Sequence, residues 1–123
     1  VIPSLDDFRK IVLITETSEE IPSDDYVFRF YRALGERGIL ARVQAILVGR
    51  PKAWEFNKPQ DVDQRNKYRK KQRETILKTV RTYNTKVPVV QNVDFGHTDP
   101  QVALPYGASI SIDGTVKKIV SKY

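Results

Sequence analysis

The chain's one histidine, His97, stands in the run Asp94-Phe95-Gly96-His97-Thr98-Asp99-Pro100. Imidazole takes and returns a proton near neutral pH, so this position is the first candidate for acid–base work. The run follows an apolar stretch that reads as a strand, and its Gly, Asp and Pro read as a turn. Loops at strand ends are where a rigid scaffold presents reactive groups. A lone histidine can equally cap or decorate a surface, so a partner is needed. Glu16 supplies one, at the exit of the earlier strand Lys10-Ile11-Val12-Leu13-Ile14-Thr15. If the first and third strands are parallel neighbours, Glu16 and His97 leave the sheet on one edge, where open α/β sheets gather ligands. A carboxylate on one ring nitrogen would fix the tautomer and stabilise the imidazolium, leaving the other nitrogen to act as a base. Glu19 and Glu20 compete for that role by proximity alone.

The elements that must position these groups follow from the apolar pattern. Residues 10–15 are β-branched and scarcely alternate, as expected of a strand buried on both faces. Pro22-Ser23-Asp24-Asp25 predicts a helix start, with Ser23 as N-cap and two acids in the first turn. Val27, Phe30, Tyr31 and Leu34 recur at helical spacing, and Gly35 and Gly38 bracket the end. Val43–Val48 predicts a second buried strand, ended by Gly49-Arg50-Pro51. A loop with Trp54 and Phe56 then leads into a basic helix over 62–82, with Ile76, Leu77, Val80 and Tyr83 as its apolar stripe. Val87–Val93 predicts a third strand. Ile110–Ile112 and Val116–Ile119 flank Asp113-Gly114, a pair preferred in tight hairpin turns. The order β-α-β-α-β plus a hairpin predicts an α/β domain with a mixed, partly parallel sheet.

Composition narrows the function. A chain of 123 residues suits one domain, and 40% apolar with 29% charged side chains is ordinary for a globular one. No long uncharged apolar run offers a membrane span, and no basic-then-apolar start offers a signal peptide. With no cysteine there are no disulfides or thiolates, which fits an intracellular protein. One histidine among scattered carboxylates lacks metal-ligand spacing, so no metal or cofactor is called for. The chain has no methionine, even at position 1, which points to a domain excised from a longer protein, with residues 1–9 as a linker into the first strand.

The net charge of +6 resides in residues 62–82, where eight basic side chains face Asp63 and Glu74; elsewhere the two signs balance. Such a helix is ordinarily a solvated face. It also admits a basic α/β module that binds nucleic acid or another polyanion, with Tyr68 and Tyr83 stacking on bases. Between these lies a third reading, in which some cations face the cleft and attract an anionic substrate. Trp54 and Phe56 are expected to pack their loop onto the domain, and Thr98 and Asp99 to brace the turn at His97 through side-chain-to-backbone bonds.

The run from Asp94 to Pro100, continued by Leu104-Pro105-Tyr106-Gly107, resembles the Gly-His … Pro-x-Gly signature of the LD-carboxypeptidase family of serine peptidases. That family includes muramoyltetrapeptide carboxypeptidases and microcin C immunity hydrolases. Lys10–Glu16 resembles its apolar strand ending in glutamate, and Val43–Gly49 its next strand and glycine. The resemblance implies a swivelling β/β/α fold with two main helices and a C-terminal hairpin. It implies that His97 and Glu16 are the base and orienter of a Ser-His-Glu triad. The family's serine lies on a sharp turn in a separate N-terminal α/β domain. None of Ser4, Ser18, Ser23, Ser109, Ser111 or Ser121 sits in such a glycine-flanked elbow. The chain therefore reads as the C-terminal domain, inactive alone, with the nucleophile supplied in cis. By resemblance the whole enzyme would be a cytoplasmic, metal-free homodimer. Its substrate would be a murein tetrapeptide or a related peptide conjugate, rather than nucleic acid. The stretch from Arg50 to Tyr83 is longer and more basic than in the smallest family members.

Overall fold

A computed structural model describes residues 3–123, so Val1 and Ile2 of the expected linker lie outside the described residues. The rest of that linker runs into a 3-10 turn, Asp7–Lys10, where the Asp7 carboxylate accepts bonds from the backbone N–H and the hydroxyl of Ser4. Then come β1 (Val12–Thr15), α1 (Asp24–Glu36), β2 (Ala45–Gly49), α2 (Val62–Tyr83), β3 (Val89–Val93), β4 (Ser109–Asp113) and β5 (Lys118–Lys122).

The parallel strands form one sheet in the order β1-β2-β3. The first and third strands are thus not neighbours; β2 lies between them, paired in parallel with both. Parallel crossovers are right-handed as a rule, and two that step the same way put both helices on one face. In keeping with that, Val27 and Tyr31 of α1, Ile46 and Val48 of β2, and Ile76 and Val80 of α2 share one buried cluster. The central β2 is buried along its whole length, which is why it reads as a continuous apolar run. The antiparallel β4–β5 hairpin makes a sheet of its own.

Capping accounts for the helix ends. The Ser23 hydroxyl accepts the Tyr26 N–H at 3.2 Å, as expected. At the other end Gly38 (φ +73°) closes a Schellman motif, its N–H on Gly35 O and the Ile39 N–H on Leu34 O. Gly35 itself lies inside the last turn, where a Cβ would collide with the Tyr83 ring of α2; its task is helix–helix approach. α2 opens on a capping box in which Asp61 and Gln64 each accept the other's backbone N–H.

Two local expectations change. On α2, Leu77 is exposed, while Gln72 and Thr79 take buried places on the inward face. The Gln72 side-chain amide is carried there by a bond to Pro22 O (2.9 Å), and the Thr79 hydroxyl by one to Thr75 O (2.7 Å). The hairpin turn is also longer than the two-residue form. The Asp113 carboxylate accepts the N–H groups of Thr115 and Val116, building a turn over 114–117 in which Lys117 takes the positive φ of 52°.

Candidate active site

Glu16 follows the last residue of β1. The strand end is anchored beneath it by a buried 2.6 Å hydrogen bond between the Thr15 and Tyr31 hydroxyls. Burial pushes the Tyr31 phenol up to about 12, partly offset by that bond. His97 follows the exit of β3, two strands away. Glycine at the exit of the middle strand bridges the gap. A Cβ on Gly49 would stand 2.9 Å from Phe95 O and 3.2 Å from Glu16 Cβ, so only glycine lets the two outer segments meet across β2. Gly96 completes the passage, since its φ is +85° and a Cβ there would run into the Glu16 carboxylate.

Through this gap Glu16 Oε2 reaches His97 twice, accepting its backbone N–H at 2.9 Å and meeting ring Nδ1 at 3.0 Å. An ionised carboxylate only accepts hydrogen bonds, so the pair requires a proton on Nδ1, and in the neutral imidazole that leaves the Nε2 lone pair free. The backbone bond fixes the loop and the ring bond fixes the rotamer, both through one oxygen. The nearby acids are otherwise engaged or apart: Glu19 pairs with Lys52 at 3.6 Å, and Glu20 is exposed.

The loop carrying His97 is braced from β2. Arg50 pairs with the Asp94 carboxylate at 2.7 Å, donates to Asp99 O at 3.3 Å, and gives its own N–H to Val93 O at 2.9 Å. The Gln101 side chain donates to Gly96 O. The bracing expected of the Thr98 and Asp99 side chains is thus done by Arg50 and Gln101. Residue-type reasoning missed Gln101, and it named Gly49 and Arg50 only for ending the second strand, without what either does. The signal for Gly49 was a glycine ending the central strand.

Beside His97 opens a cavity of about 320 Å³ lined by Arg50, Lys52, Trp54, Arg69, Thr98, Asp99 and Gln101. Arg69 is held there by the carbonyls of Pro51 (3.1 Å) and Lys52 (3.2 Å). Burial, with Arg50, Arg65 and Arg73 nearby, lowers the pKa of its guanidinium. Such a clustering of like charge favours an anion in the cavity. Lys52 Nζ also lies 4.5 Å from the centre of the Trp54 ring. Trp54 therefore lines the cavity, and Phe56, 91% exposed, packs on nothing; neither loop aromatic simply fills the fold. Much of the remaining basic helix is engaged locally: Arg65 bonds Gln60 O, Lys70 pairs with Glu74, Lys71 with Asp24, and Arg81 bonds the carbonyls of Asn84 and Val87. No serine lines the cavity at His97. Among the described residues no cluster of three or more His, Cys, Asp or Glu is arranged to hold a metal, and no helix is long and apolar enough to cross a membrane.

Comparison with known proteins agrees with the fold and the motif. The crystal structure of an MccF-like protein from Streptococcus pneumoniae in complex with AMP superposes with a TM-score of 0.77 and is 26% identical. The match covers 99% of this chain and 31% of that one, so the chain spans about a third of that relative. No curated protein sequence matches. The family profile of the LD-carboxypeptidase C-terminal domain matches residues 1–112, and the chain belongs to that family.

Proposed function

We propose that this domain supplies the general base and its orienter to a serine peptidase whose nucleophile lies elsewhere in the same polypeptide. The observation that carries the reading is the single Glu16 oxygen bonded to both the backbone N–H and Nδ1 of His97. In this scheme a serine on the preceding domain attacks an amide carbonyl. Its proton passes to His97 Nε2, and Glu16 stabilises the imidazolium that forms. His97 then returns the proton to the leaving amine, and water repeats the cycle to release the acyl group. The 123-residue chain alone is inactive on this reading.

The cations beside His97 suit a substrate with an anionic group near the scissile bond. That group is a phosphate in a peptidyl-nucleotide, in keeping with the AMP bound by the MccF-like relative, or the terminal carboxylate of a murein tetrapeptide. Because Arg65, Lys70, Lys71 and Arg81 of α2 are engaged within the fold, away from the cavity, this reading is favoured over a nucleic-acid-binding module. The test is steady-state hydrolysis of both substrates by the full-length protein. His97→Ala and Glu16→Ala should each lose on the order of a thousandfold in kcat with folding intact. Undiminished turnover by either variant removes the role assigned to that residue.

A further inference from the structure

The chain changes character after Phe95, for none of residues 96–123 is buried. That stretch nevertheless holds β4 and β5, hydrogen-bonded only to each other. No backbone hydrogen bond joins either strand to another part of the described chain. A lone two-stranded hairpin is marginal in water. Its register gathers Ile110, Ile112, Ile119 and Ser121 on one face, each partly buried. Ser109, Ser111, Asp113, Lys118, Val120 and Lys122 fall on the other, all exposed. One apolar face and two unpaired backbone edges describe a fragment of a larger sheet.

The two edges are not equivalent. β5 carries Lys118 and Lys122, the residue type that guards an edge against pairing, whereas β4 carries no lysine. The match to the MccF-like structure takes in almost all of this chain, hairpin included, within a protein about three times as long.

We infer that the free edge of β4 receives a strand from the remainder of the same polypeptide, whose apolar side chains cover Ile110, Ile112 and Ile119. The occupant is an extended segment with apolar residues at alternate positions, the form that pairs with an open edge. The polar face stays in water. Docking there also reaches the dyad, because the Tyr123 hydroxyl donates to Ala103 O at 2.7 Å and so ties the end of β5 to the arm between His97 and β4.

Amide hydrogen exchange on the full-length protein tests this without depending on hydrolysis, so it stands or falls separately from the catalytic reading. The β4 amides that do not bond β5 should exchange at least about a hundredfold more slowly than in an unstructured chain, and the outward amides of β5 should not. Ile112→Lys should return those β4 amides to near-unstructured rates, Ile112→Val should hold them within about threefold of the parent, and β2 amides should report an intact core in both. Unprotected β4 amides in the parent protein would overturn the inference. So would protection confined to β5, or protection that grows with protein concentration, which would assign the edge to a second copy.

Discussion

The chain up to Phe95 and the chain beyond it are built on different terms. The first part buries a continuous cluster from both helices and the central strand, with Leu40, Ile46 and Val80 wholly out of water. The second part is loop and hairpin, held by polar bonds from Arg50, Gln101 and Tyr123. Glu16 belongs to the first and His97 to the second, so the pair is also the joint between them. A rigid sheet edge presents a carboxylate, and a thinly packed arm delivers the imidazole to it. Position is set by packing on one side and by hydrogen bonds on the other.

That contrast is broken most directly by deleting the same atoms in both parts. Ile76 is 1% exposed in the shared cluster, and Ile76→Ala should cost the 123-residue chain about 2–5 kcal/mol in urea denaturation, through lost burial plus the cavity left behind. Ile119→Ala, in the partly buried hairpin, should cost less than about 1 kcal/mol in the same chain. Equal losses would mean that the hairpin is as much a part of the core as α2, and the division at Phe95 would fail.

The joint can be attacked without touching either side's packing. Gly96 and Gly107 both hold positive φ, at +85° and +76°, so alanine strains the backbone at each by roughly 1–2 kcal/mol. Only at Gly96 does the new Cβ meet the Glu16 carboxylate; at Gly107 it meets open space. On the proposed mechanism, Gly96→Ala in the full-length protein should lower kcat/KM by about a hundredfold, as expected when a reacting group is displaced by around an ångström. Gly107→Ala should stay within about fivefold of the parent, a loss of roughly 1 kcal/mol at most. Matching losses would show that arm geometry, rather than the Glu16–His97 contact, is what the glycines protect.

The sequence disclosed the two parts unequally. Where burial dictates residue type, the pattern was plain: the apolar run of β2, the Ser23 cap and the alternation of strands and helices all appear where the residues place them. Glu16 and His97 were legible as a candidate pair because their types and strand-end positions are unusual together. Their meeting across a middle strand was not, since it depends on what Gly49 lacks, and an absent side chain leaves no periodic trace. Gln72 is absent from the predicted stripe of α2 for a related reason. A polar side chain reads as outward unless its partner is known, and that partner, Pro22 O, lies fifty residues upstream. Gln101 and, beside its pair with the Asp94 carboxylate, Arg50 also act on carbonyl groups, which every residue has, so residue types alone could not choose those targets.

A subtler lever lies at the anchor of the first part. Tyr31 is 2% exposed, and its hydroxyl bonds that of Thr15 directly beneath Glu16. Tyr31→Phe leaves the Thr15 hydroxyl buried without this partner, at a cost of about 1–3 kcal/mol near neutral pH. The alkaline behaviour should move the opposite way. Burial raises the folded-state pKa of Tyr31 from 10.0 to about 12, so the stability contributed by its neutral form is complete below pH 10 and is lost as pH rises toward 12. Phenylalanine has no proton to lose there. The deficit of the variant should accordingly shrink between pH 10 and 12, while both proteins keep the remaining alkaline decline due to Tyr68, also raised to about 12 by burial. Urea denaturation at pH 7 and pH 11 measures the two gaps. A gap that is constant across that range would mean that Tyr31 holds the strand end by shape alone, and the first part would owe less to its polar anchor than to its packing.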